Sequence, residues 1–96
     1  MNHRLIEEYR LFVDEVESGY QFGLYDYRND LDLRAEISRA GLDEEVKELD
    51  ERFRAALTAP GLRVWESELE DPFWIYGYPA RTSEEMLEDL RAEGLI

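Results

Sequence analysis

LDEEVKELDERFRAALTAPG, residues 42–61, reads as one amphipathic helix followed by its stop. Leu42, Val46, Leu49, Phe53, Ala56 and Leu57 recur at three- and four-residue steps, so a helix gathers them on one face. Asp43 stands where an N-cap belongs, and Glu44 and Glu45 complement the positive end of the helix dipole. On the outer face Glu48 precedes Arg52 and Asp50 precedes Arg54. That is the favourable order for i,i+4 pairs, worth about 0.2–0.5 kcal/mol each. Ala59-Pro60-Gly61 then ends the helix, because proline lacks the N–H that would continue it.

Upstream, the pattern predicts a helix from Asn2 to Ser18. Leu5, Ile6, Tyr9, Phe12, Val13 and Val16 share one face, with Asn2 as N-cap and Ser18-Gly19 as stop. The stretch GYQFGLYDYRND, residues 19–30, crowds aromatics between two glycines and reads as an ordered loop with one short turn at 24–28. Asn29 or Asp30 then caps a second helix over 31–40, with Leu33, Ile37 and Ala40 inward and Gly41 at its end. Downstream, residues 62–80 lose the helical period and are rich in aromatic and β-branched residues, which predicts a β-hairpin or two extended segments ended by Pro79. Thr82 and Glu85 form a capping-box pattern ahead of a last helix over 83–93, with Met86, Leu87 and Leu90 inward and Gly94 closing it. The expected fold is mainly α, a three- to four-helix arrangement with a short β-hairpin or extended aromatic segment at 62–80; an α+β assignment is the alternative. No repeat or linker interrupts residues 1–96, so one domain is expected.

The 96 residues carry 24 acids and 11 bases, a net charge of −13. Such a field repels nucleic acid and anionic membranes and attracts basic partners, although plain solubility explains it as well. Hydrophobic residues reach 44% and aromatics 12%, too much buriable surface for a chain kept unfolded by its charge. With no cysteine, disulfides, zinc–thiolate sites and cysteine nucleophiles are excluded. There is neither a signal-peptide pattern nor an apolar run long enough for a membrane span, which makes a cytoplasmic location the expectation.

Catalytic equipment is scarce. The one histidine, His3, sits beside the start of the chain, a poor place for a general base. None of Ser18, Ser38, Ser67 and Ser83 lies in a nucleophile motif, and no glycine-rich phosphate loop occurs. Asp26, Asp30 and Asp32 approach a calcium-loop pattern, but its sixth and twelfth positions fall on Leu31 and Ile37. Helix capping and an Asp30–Arg34 pair account for them more simply. Arg28, Arg34 and Arg39 are interleaved with acids, which predicts structural ion pairing and no nucleic-acid stripe. Carboxylate pairs suited to glycoside chemistry occur by the dozen in any acidic chain and single out nothing. The expectation is a chain that is not an enzyme and has no catalytic, cofactor-binding or metal-binding residues.

Aromatics beside acids are the remaining signal. Trp65, Trp74, Tyr76 and Tyr78 are bracketed by Glu66, Glu68, Glu70 and Asp71, which together suggest a partner-binding surface: large rings as anchors, an acidic rim to steer a basic protein. The competing explanation is that Phe22, Trp65, Phe73 and Trp74 fill the core. Tyr76 and Tyr78 are the ones best suited to exposure.

The runs YRNDLDLRAEI (27–37), LDERFRAAL (49–57) and PFWIYGYP (72–79) resemble small acidic uncharacterised bacterial proteins of the hypothetical-protein kind. In these a short helical bundle precedes an aromatic, proline-ended tail. The resemblance spans about residues 5–80 and implies no activity. Immunity proteins and antitoxins share the size and charge. Three functions follow as expectations: a module that binds and regulates a basic protein, a self-associating structural protein, and, last, a carboxylate- or metal-dependent enzyme.

Overall fold

The computed structural model describes residues 3–96, so the expected cap at Asn2 lies outside the described residues. Among the described residues, four α-helices and one two-stranded antiparallel sheet make up the fold, which is mainly α. In chain order these are α1 (His3–Ser18), α2 (Leu24–Arg39), α3 (Lys47–Ala55), β1 (Leu57–Arg63), β2 (Tyr76–Pro79) and α4 (Glu84–Ala92). Single 3-10 turns precede α3 (Asp43–Val46) and β2 (Phe73–Ile75).

α1 follows its periodicity, burying Tyr9, Phe12, Val13 and Val16. α2 begins well before the expected position and turns most of the supposed loop into helix. Asn29 and Asp30 therefore lie inside α2 and cap nothing. The cause is remote in sequence. Leu24 N–H donates to Asp89 Oδ2 of α4 at 3.0 Å, so the capping acceptor comes from another helix. Gly23 makes room for this contact, since a Cβ there would lie 2.5 Å from carboxylate oxygens of both Glu85 and Asp89. The 19–23 connection is also tied to the start of α4. Tyr20 N–H donates to Arg81 C=O at 2.8 Å, and Ser83 Oγ donates to Phe22 C=O at 3.1 Å. Ser83 is the N-cap of α4, its Oγ accepting from Met86 N–H, and Thr82 is bridged to Tyr20 instead of forming the expected box.

The predicted third helix is split. Asp43–Val46 is 3-10, α3 runs only to Ala55, and Leu57 already opens β1. β1 pairs with β2 through Leu57 with Pro79, Thr58 with Tyr78 and Arg63 with Tyr76; residues 59–62 bulge out between. Pro60 is tolerated there because a bulge needs no ladder N–H from it. Opposite the bulge, Gly77 has φ +92, and a Cβ would lie 2.7 Å from Thr58 C=O, so only glycine fits without strain. The hairpin is real, but its first strand is 57–63, earlier than the 62–80 segment implied.

One buried cluster draws on all four helices and the hairpin region. Its centre is aromatic. Phe12 makes edge-on contacts with Tyr20 and Phe53 at centroid separations of 6.1 and 5.2 Å, and Tyr27 meets Tyr20 at 5.6 Å. Such pairs contribute about 0.5–1.5 kcal/mol each beyond area burial. Trp74 is 5% exposed and belongs to this core.

Candidate partner-binding site

α1 and α2 form an antiparallel hairpin: Tyr9 of α1 lies near Arg34 of α2, while Phe12 and Tyr20 lie against Tyr27. Acids occupy two flanks of α1, and their surroundings differ.

Toward α3 the acids are neutralised. Arg34, 3% exposed, donates from Nε and Nη2 to the two oxygens of Asp50, both at 2.8 Å. Its Nη1 lies 2.8 Å from Asp43 Oδ1, completing a second ion pair. The Trp74 ring covers the guanidinium at 4.4 Å, and the Tyr9 hydroxyl donates to Asp50 Oδ1 at 2.5 Å. Burial works against the Arg34 charge, but the hydrogen bonds and charge of Asp50 outweigh it and raise the pKa. Tyr9 is likewise held protonated, by burial first and then by the Asp50 charge. Arg52 closes the same seam, reaching Asp14 at 2.6 Å and Glu17 at 2.5 Å. The expected partners are therefore exchanged. Arg34 bonds Asp50 and not Asp30, Arg52 bonds α1 and not Glu48, and Arg54 stacks 4.3 Å over Phe73 and not beside Asp50. For Arg34, the mostly buried Asp50 on an adjacent helix offers a drier and stronger attraction than an i,i+4 neighbour does.

On the outer flank α1 and α2 enclose an open groove of about 430 Å³, lined by acids at both ends and apolar side chains in the middle. Glu8 and Glu36 stand at one end, Glu15 and Asp30 at the other, and Leu11 and Leu33 between them, with Asp32 alongside. Leu11 is 60% exposed although it sits on a well-formed helix. Among the described residues, Glu15, Asp30 and Glu36 make no ion pair. Glu8 meets only the highly exposed Arg4, and Asp32 lies 3.9 Å from Arg39. Asp30 accepts from the Tyr20 hydroxyl at 2.6 Å. Its pKa is nevertheless raised, by burial first and then by the charge of Asp26, and that of Glu15 is raised by burial and by Asp30. Burial and neighbouring like charge thus both disfavour the ionised forms of these two carboxylates. The lining holds one neutral amide, Asn29, and no cation, so a developing negative charge would find little support there.

The residues suggested by composition are dispersed. Trp74 lies in the core, beneath Arg34, and offers no surface ring. Trp65, Tyr76 and Tyr78 are half-buried, and Glu66, Glu68, Glu70 and Asp71 are exposed on the loop between the strands. The hollow beside Trp65 is lined by Arg28 and Arg63 with Glu66, and Arg63 lies 5.9 Å over the Tyr76 ring. Trp65 and Tyr76 thus have arginines beside them, and of the four acids suggested as a rim Glu66 lines the hollow with Trp65. Phe22, expected in the core, is 48% exposed. The groove on the other side was overlooked, yet α1 carried a signal for it: Leu11 stands off the apolar stripe, flanked at −3 and +4 by Glu8 and Glu15.

Among the described residues no three His, Cys, Asp or Glu side chains are grouped so as to hold a metal ion, and no helix is long and apolar enough to cross a membrane. No family model, curated protein or solved structure matches this chain.

Proposed function

We propose that the chain is a non-catalytic binding module that captures a basic segment of another protein on the outer face of the α1–α2 hairpin, as an antitoxin, immunity or regulatory protein would. The observation that carries this is the exposed Leu11 set between Glu8 and Glu15 on α1 and faced by Asp30 and Glu36 on α2, with three of these four acids in no ion pair among the described residues. An apolar anchor ringed by uncompensated charge is poorly matched to water and well matched to a cation-flanked apolar side chain. The overall charge of −13 adds long-range steering of a basic partner.

Capture from an extract of the source cell at low salt tests this, comparing the native chain with a Leu11→Asp, Glu15→Lys variant. The native chain retains one or more basic proteins, released by raising the salt, and the variant does not. Identical sets retained by both would refute the assignment to this face.

Self-association is supported by a separate feature. Leu57, Pro60, Phe73 and Tyr76 line a mostly apolar hollow beside Arg54. Sedimentation at two concentrations would reveal a dimer as a rise in mass, and an unchanged monomer mass would remove this second function.

A further inference from the structure

Resting on the binding-module proposal, we infer that the occupant of the α1–α2 groove is a short amphipathic α-helix whose two cations stand seven residues apart and bracket an apolar pair. The walls of the groove decide the backbone of the occupant. Both are α-helices whose N–H and C=O groups are spent within the helices, so an extended segment finds no edge to pair with. A helix brings its own backbone hydrogen bonds and needs only side-chain contacts.

The layering decides the spacing. Because α1 and α2 run antiparallel, Glu8 and Glu36 fall toward one end of the groove and Glu15 and Asp30 toward the other, with Leu11 and Leu33 between them in sequence along their helices. Glu8 and Glu15 are seven residues apart, about 10 Å along the helix axis at about 1.5 Å per residue. Lysine or arginine at positions i and i+7 of a docked helix spans the same distance. Apolar side chains at i+3 and i+4 then fall over Leu11 and Leu33, on the same helical face as the cations. The pattern works in either direction along the groove, since both ends are acidic. A second copy of this chain is a poor occupant through the same face, because it would set two acidic grooves against each other.

Three synthetic 16-residue alanine-rich peptides of equal charge test this by fluorescence anisotropy at low and high salt. The first carries lysines at i and i+7 with leucines at i+3 and i+4. The second holds the same residues with the lysines and leucines on opposite faces. The third is the first with a central proline that breaks the helix. The first peptide is expected to bind at least about tenfold more tightly than the others, a difference of about 1.4 kcal/mol. Leu11→Asp, and separately Glu8→Gln with Glu36→Gln, are expected to lower that affinity by about tenfold or more; both sites are exposed, so the melting temperature stays put. Equal binding of all three peptides, abolished by the groove variants, would overturn the helical spacing and leave the binding module standing. No binding by any peptide at low salt would overturn both. Binding that survives the groove variants but fails in Glu66→Gln, Glu68→Gln, Glu70→Gln would move the site to the interstrand loop and overturn the inference.

Discussion

α1 presents two acidic flanks that differ in what faces them. Asp14 and Glu17 look toward α3 and are clasped by Arg52, while Asp50 and Asp43 meet Arg34 in the same seam. Glu8 and Glu15 look outward beside α2, where Asp30 and Glu36 add charge and no buried arginine answers. The seam is dry at Arg34, covered by Trp74 and closed by the Tyr9 hydroxyl. The groove is open to water along its length. In one chain of strongly acidic composition, then, some carboxylates hold helices together and others stand in no ion pair among the described residues; the proposed function assigns the latter to a partner. Composition cannot separate these two uses, but the distribution of eleven basic residues can.

Breaking the seam has the largest expected effect. Arg34→Leu leaves Asp50, mostly buried, without its cation and is expected to cost about 3 kcal/mol in urea unfolding. Replacing both partners, Arg34→Leu with Asp50→Leu, recovers part of that loss, because the uncompensated buried charge is gone. A double variant as unstable as the single one would mean that Arg34 matters chiefly as packing under Trp74. Arg52→Ala, whose three charges are all in water, is expected to cost a small fraction of what Arg34→Leu does.

A second expectation concerns how α2 begins. Asp89→Ala removes the acceptor for Leu24 N–H and is expected to cost about 1 kcal/mol, as loss of an N-cap does. Hydrogen exchange at Leu24 should quicken in the variant; unchanged protection would assign the start of α2 to some other contact.

The groove responds in the opposite sense to the seam. The pKa values of Glu15 and Asp30 are raised, so the folded chain holds those protons more tightly than the unfolded one. Their ionisation therefore opposes folding at neutral pH, and that opposition fades as pH falls toward their folded values. Glu15→Gln is expected to raise stability at pH 7 by about 0.5 kcal/mol or less, with the advantage over the native chain shrinking on acidification. Glu17 has the reverse sign. The Arg52 hydrogen bond lowers its pKa, and its contribution is lost as pH falls. A Glu15→Gln advantage that grew with acidification would contradict the raised value.

Local periodicity made much of the fold legible. α1 and the apolar stripe around Leu49 and Phe53 follow from spacing alone, and so does the helix that buries Met86 and Leu90. The failures share one cause, which is that the deciding partner is distant in sequence. Leu24 starts α2 because Asp89 reaches it, and Arg34 turns to Asp50 because α3 is brought alongside. Leu57 leaves the helix for a strand because Pro79 is there to pair with it. The surface suggested at residues 65–78 reads differently in space for a related reason. Counted along the chain, residues 65–78 are aromatics among acids; in space, Arg28 and Arg63 also stand beside Trp65, and Arg54 beside Phe73 and Tyr76. Leu11 was visible as an exposed apolar residue between two glutamates, but its meaning depends on Asp30, Leu33 and Glu36, which only the hairpin sets opposite it.

The central claim is that the carboxylates of the α1–α2 groove are the ones left for a ligand. Amide chemical-shift mapping of the native chain during titration with the lysine-spaced helical peptide tests it most directly. The account predicts saturable shifts concentrated at Leu11, Glu15, Asn29, Leu33 and Glu36, with residues 65–78 undisturbed. Shifts concentrated at residues 65–78, or scattered evenly over every acidic surface, would contradict it.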